Sequence, residues 1–90
     1  MLFEWDPDKA ASNLRKHGVS FDEAAEVFLD REGIEEFDPA HSVEEPRYRR
    51  IGLSSQRLLL VVFIDRSEDV IRIISARKAT GKEHKLYENQ

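Results

Sequence analysis

The 90-residue sequence predicts an α+β fold: a small antiparallel sheet with two N-terminal helices and a short C-terminal helix, in the order β-α-α-β-β-β-β-α. Three observations lead there. Two helical segments, each opened by a capping residue, follow one another near the N-terminus. From Arg47 onward the chain turns into strand-like runs joined by short connections. After the last run, Thr80 and Glu83 stand at capping-box spacing and open one more helix.

In chain order, Leu2-Phe3-Glu4-Trp5 is short, aromatic and alternating, which suits a first strand. Asp6-Pro7 supplies an N-cap with proline at the first helical position, where its missing amide costs nothing. On the helix that follows, Ala10, Leu14 and His17 share a stripe with Ala11 beside it, Lys9, Asn13 and Lys16 share a neighbouring face, and Gly18 provides the stop. Ser20-Phe21-Asp22-Glu23 is a second capping box, and Phe21, Ala24, Ala25, Phe28 and Leu29 have the spacing of an apolar helix face. Trp5 is expected to pack against a capped helix start.

Gly33 to Phe37 is a charged strand candidate, and Asp38 to Pro46, with two prolines and several turn formers, is a loop. Residues 48–53, 58–64 and 70–76 then form a meander. Leu58 to Ile64 is apolar at every position, which places it centrally with both faces covered. The two N-terminal helices supply one cover, and the C-terminal helix or a partner chain supplies the other.

With 40% hydrophobic and 36% charged residues, the chain has enough apolar material for one core and one domain, residues 1–90. No stretch approaches the roughly 18 apolar residues of a membrane span, and the N-terminus lacks the pattern of a signal peptide, so a soluble, cytoplasmic protein is expected. The absence of cysteine excludes thiol nucleophiles and thiolate metal sites. His17, His41 and His84 share no ligand spacing, so no metal is expected. Neither a P-loop, a GxGxxG nor an HExxH motif is present, and no cofactor is expected.

The net charge of −4 argues against a nucleic-acid partner, but its distribution does not. Residues 20–45 hold ten acids and one base, whereas residues 47–57 hold four arginines and no acid, and residues 70–85 hold five bases and one acid. Such a split suits two oppositely charged partners, or describes two solvated faces.

Several cations stand at places where chemistry is conceivable. Arg77 and Lys78 end a strand just before a helix N-terminus, an arrangement that suits a phosphate or ends in solvated charge. Arg57 opens the central strand and is expected beside Arg77 in an antiparallel pair, where either a bound anion or an internal carboxylate must separate them. Arg49 and Arg50 point to opposite faces, so one of them extends the basic surface. Arg72, within an apolar strand, is paired or sits at an open face. These three are the candidate substrate-binding cations. His17, near a helix C-terminus, is either a core or capping residue or an acid/base group.

Taken together, Trp5-Asp6-Pro7, Lys9, Asn13, Lys16-His17-Gly18-Val19-Ser20-Phe21, Glu23-Ala24, Ile51-Gly52-Leu53-Ser54 and Ile73 to Thr80 resemble the BrnT toxins of bacterial type II toxin-antitoxin systems. The resemblance runs through nearly the whole chain. It implies a RelE-like ribonuclease fold, metal-independent RNA cleavage that halts translation, and neutralisation by a BrnA-like antitoxin that itself binds DNA. Matched by position, it makes Lys9, Arg57 and Arg77 the leading catalytic candidates, followed by His17 and Lys78. The chemistry implied is attack of a ribose 2′-hydroxyl on the adjacent phosphate, with arginines stabilising the phosphorane and Lys9 or His17 moving protons. The alternative is a non-catalytic module whose basic face docks a DNA-binding protein.

Overall fold

In the computed structural model, which describes residues 1–39 and 45–90, the chain runs β1 (Leu2–Glu4), α1 (Pro7–His17), α2 (Phe21–Glu26) with a 3-10 turn over Val27–Leu29, β2 (Ile34–Asp38), β3 (Arg47–Leu53), β4 (Leu58–Ser67), β5 (Val70–Lys78) and α3 (Gly81–Glu88). The loop expected between β2 and β3, His41 included, falls largely on residues 40–44, outside the described residues. The sheet order is β1-β5-β4-β3-β2. Strands β3 to β5 form the antiparallel meander expected from their short connections, and β2 pairs antiparallel with β3.

β1 departs from that pattern. It pairs parallel to β5, with Leu2 opposite Val70 and Glu4 opposite Arg72, so the sheet is mixed. The cause is topological: α1 and α2 carry the chain from one edge of the sheet to the other before β2 begins, which leaves β1 beside the last strand. β1 reaches only to Arg72, so the remainder of that edge of β5 has no strand neighbour among the described residues. Asn13 of α1 takes the neighbour's place at Ala76. Its Nδ2 donates to the carbonyls of Ala76 (2.8 Å) and Val19 (2.9 Å), and the Ala76 N–H donates to its Oδ1 (3.1 Å).

This overturns the stripe expected for α1. Asn13 is buried at 6% exposure, whereas Leu14 is 51% exposed, because an open strand edge demands hydrogen-bonding groups more than it demands a methyl surface. α2 differs as well. It ends at Glu26, and the tighter 3-10 turn that follows buries Val27 and swings Leu29 outward. Gly52 of β3 permits the close approach, since a Cβ there would lie 3.0 Å from that of Val27.

β4 is central, as its unbroken apolar run requires. Leu59, Val61 and Phe63 meet Val19, Phe21, Ala24 and Val27 under α1 and α2. Leu58 and Leu60 face the other way with Ile51, where Ala79 and Tyr87 pack. Trp5 meets Phe21 edge to face at 5.8 Å, beside the Asp6-capped start of α1. α3 buries no residue fully and is held by polar contacts: the Thr80–Glu83 capping box and a 2.7 Å hydrogen bond from the Tyr87 hydroxyl to Asp30 Oδ2. No helix among the described residues is long and apolar enough to cross a membrane.

Candidate functional site

Arg57 closes the turn between β3 and β4. Ser54 Oγ shapes this turn by accepting from the N–H groups of Gln56 and Arg57, both at 3.1 Å. The Arg57 side chain then reaches back toward α2. Its Nε donates to Glu23 Oε2 (3.0 Å), and its Nη2 donates to Glu23 Oε1 (2.8 Å) and to the Gly18 carbonyl (2.8 Å). Ser54 Oγ also donates to Glu23 Oε2 at 2.7 Å.

Glu23 was expected to complete a capping box. Ser20 does accept the Glu23 N–H at 3.0 Å, but the carboxylate turns inward and grips Arg57 instead. The hydrogen bond from Arg57 holds the Glu23 carboxyl below its ordinary range against the opposing effect of burial, and the same bond raises Arg57 further above its already high value. The pair is therefore fully ionised at neutral pH. The Arg57 side chain keeps 28% of its surface exposed despite this grip. Glu23 is the residue that sequence reasoning missed. The available signal was an acid lodged between Phe21 and Ala24, where a charge needs a partner.

The expected meeting of Arg57 and Arg77 does not occur. Arg77 stands opposite Leu60, on the α3 side of the sheet, while Arg57 binds residues of the α1–α2 side. Arg77 forms two parallel bonds to Glu83, Nη1–Oε1 at 2.8 Å and Nη2–Oε2 at 2.9 Å, and Glu83 Oε1 also accepts the Thr80 N–H. Hydrogen bonding to Arg77 holds the Glu83 carboxyl low, with burial opposing it. The anion that a cationic strand end before a helix calls for is thus supplied by the chain itself.

The charge split resolves in the same way. β2 carries three of the ten acids of the acidic segment and β3 three of the four arginines of the basic one, and their register sets Glu35 against Arg50 and Glu36 against Arg49. Arg49 bonds Glu36 at 2.7 Å. Arg50, on the opposite face as predicted, is spent entirely on structure: it reaches Glu35, the Val27 carbonyl and the Asp30 carbonyl, with its guanidinium over the Phe28 ring. Arg72 pairs with Glu4 at 2.9 Å, across the β1–β5 register. The three candidate substrate-binding arginines therefore neither converge nor stand free.

Two clefts gather the remaining candidates. One, of about 440 Å³, has Arg57, Lys78 and His84 among its walls. The other, of about 210 Å³, lies between α1 and β5 and brings Lys9, Lys16 and His17 together beside Ser75. Ile74, the extra residue at a β-bulge opposite Val62 and Phe63, also lines it. His17 of the smaller cleft directly precedes Gly18, whose carbonyl holds Arg57 of the larger one. Lys9 is eight residues earlier on the helix, about 12 Å along its axis. His84 enters the site only because α3 folds back over the β3–β4 end, a placement no local pattern announces. Among the described residues, no three histidine, aspartate or glutamate side chains converge as metal ligands.

Comparison with known proteins agrees with this architecture. A family model described as the ribonuclease toxin, BrnT, of type II toxin-antitoxin systems matches residues 5–83. Among solved structures, the crystal structure of the Brucella abortus ribonuclease toxin BrnT is similar with a TM-score of 0.66 and 25% sequence identity, over 89% of this chain and 99% of that one. No curated protein matches the chain.

Proposed function

Because this chain belongs to the BrnT family of type II toxin-antitoxin ribonuclease toxins, we propose that it is a metal-independent endoribonuclease in which Arg57 and Lys78 stabilise the reacting phosphate and His17 moves protons. A ribose 2′-hydroxyl attacks the adjacent phosphorus as its proton is taken up, the bond to the 5′-oxygen breaks, and that oxygen receives a proton. The products are a 2′,3′-cyclic phosphate and a 5′-hydroxyl.

The observation that carries this reading is the grip on Arg57. A buried carboxylate and a helix-end carbonyl fix two of its nitrogens, and the residue so held lines the cleft that Lys78 also lines. A cation fixed in advance stabilises developing charge without reorganising during the reaction. His17 suits proton transfer because an imidazole carries both a donor and an acceptor nitrogen and because its neighbour's carbonyl touches Arg57. Lys9, about 12 Å along α1, belongs with Lys16 on the approach of the RNA backbone rather than at the bond broken. Arg77 contributes chiefly by joining β5 to α3 through Glu83.

Membership of a toxin family of this kind implies an antitoxin. A BrnA-like, DNA-binding antitoxin that covers Arg57 and Lys78 silences the site by occupying its cations, and DNA is contacted only through that complex. The test is cleavage of labelled RNA by purified protein in excess EDTA, with analysis of the new ends. Persistent cleavage leaving cyclic phosphate is expected. Loss of cleavage in EDTA with recovery on adding a divalent ion overturns the mechanism, and binding without cleavage points to the non-catalytic docking module.

A further inference from the structure

The larger cleft holds more than a phosphate needs. Its floor is apolar, made by Leu53 at the end of β3, Leu58 at the start of β4, and Ala79 and Tyr87 from the segment that folds back as α3. Leu58 is 4% exposed, but Leu53 at the rim remains 47% exposed. Arg57 and Lys78 also line it, and His84 offers a second ring. Glu88 also lines the cleft, which disfavours entry of a second anion. A volume of about 440 Å³ lies within the range of small-molecule sites.

We infer that this cleft binds a nucleobase of the RNA, seated on Leu53, Leu58, Ala79 and Tyr87, with the adjoining phosphate held by Arg57 and Lys78. The inference rests on the ribonuclease reading and adds a base subsite to it. A base is flat and apolar on its faces, and stacking on rings is tolerant of sequence, so such a site grips any nucleotide while positioning its phosphate. Glu88 accepts hydrogen bonds that a base edge donates and an RNA phosphodiester, which has no P–OH, cannot donate. The preference for a base over a second phosphate follows from that chemistry and from the floor.

The test uses inorganic phosphate and the four nucleoside 3′-phosphates, titrated into isotope-labelled protein and followed by backbone amide shifts. The nucleotides are expected to bind about tenfold or more tightly than phosphate, a factor within the range of base stacking on aromatic side chains. Their shifts should centre on Leu58, Ala79, His84 and Tyr87. His84→Ala and Leu53→Ala, both exposed changes, should reduce nucleotide affinity severalfold and leave phosphate affinity unchanged. Equal affinities for phosphate and all four nucleotides, or shifts centred on Lys9 and His17 instead, overturn the inference. So do shifts at the cleft that phosphate alone reproduces, which mark an anion site only. Because cleavage is not the readout, the two readings separate. RNA cleaved without any gain from the base removes this inference and leaves the ribonuclease reading standing; base-dependent binding without cleavage does the reverse.

Discussion

Replacing Asn13 with alanine should be among the most damaging single changes in the molecule. Three hydrogen bonds end on this side chain, and Ala76 at 1% exposure and Val19 at 0% cannot turn their orphaned groups to water. An unmade partner of this kind costs about 1–3 kcal/mol, and the Ala76 N–H is the most exposed to that cost because it has one donor and no alternative. Allowing the two carbonyls a similar amount together, the loss comes to about 2–6 kcal/mol. At about 4–8 °C per kcal/mol for a domain of this size, that lowers the melting temperature by roughly 10–50 °C. Asn13→Asp should do no better, since it places a carboxylate against the Ala76 and Val19 carbonyls. Thermal unfolding followed by circular dichroism, with Ser12→Ala on the same helix as a control, measures the difference. If Asn13→Ala and Asn13→Asp both unfold within about 0.5 kcal/mol of the parent, as unremarkable surface changes do, the side chain does not stand in for a strand neighbour.

Other predictions concern the charges. Glu23 and Glu83 both have folded-state carboxyls below the ordinary value of 4.5, so their contribution is full above that pH and is lost as pH falls through the lowered values. Stability should therefore decline on acidification, and Glu83→Gln should make that decline shallower; an unchanged acid limb refutes the pairing. Hydrogen bonding to Asp30 pushes the Tyr87 hydroxyl up to about 12 from an ordinary 10.0, with burial acting in the same direction. The sign is that of a neutral acid favoured by folding: its contribution is full below 10 and is lost as pH rises toward 12. Ultraviolet titration should show a tyrosinate step near 12 that Tyr87→Phe removes, and persistence of that step in the variant excludes the assignment. Charge reversal at Lys78 should weaken both RNA cleavage and antitoxin binding, with the antitoxin's association slowed by salt. Cleavage lost with antitoxin affinity intact would mean that the antitoxin silences the protein elsewhere.

The parts of this fold that local chemistry determines were legible in the sequence. Asp6-Pro7, Gly18, Ser20 and Thr80 all stand at helix ends, and the apolar run from Leu58 is the central strand, because caps and burial act within a few residues. The direction of β1 was not legible, since three residues carry no mark of whether their partner runs with or against them. Asn13 was misplaced because helical periodicity counts methyl groups and cannot see an open strand edge 63 residues away. At the site, Arg57 and Lys78 were identified as cations, but their surroundings were not. Glu23 meets Arg57 across 34 residues, so nothing in the neighbourhood of either one shows that they share a bond. The acidic and basic segments read as separate regions along the chain, yet β2 and β3 lie side by side and much of their charge is exchanged between them.

The position of β1 also bears on when the molecule becomes a toxin. A ribosome releases the N-terminus first, but β1, α1 and α2 all find their surfaces on strands made last: β1 on Val70 to Arg72, Asn13 on Ala76, and Glu23 on Arg57. Local helices can flicker in the nascent chain, but contacts of such long sequence separation close late and slowly. Nearly the whole chain must emerge before β1 and Asn13 are seated. A polypeptide cut short before β5 would thus have its helices without the strand on which β1 and Asn13 are seated.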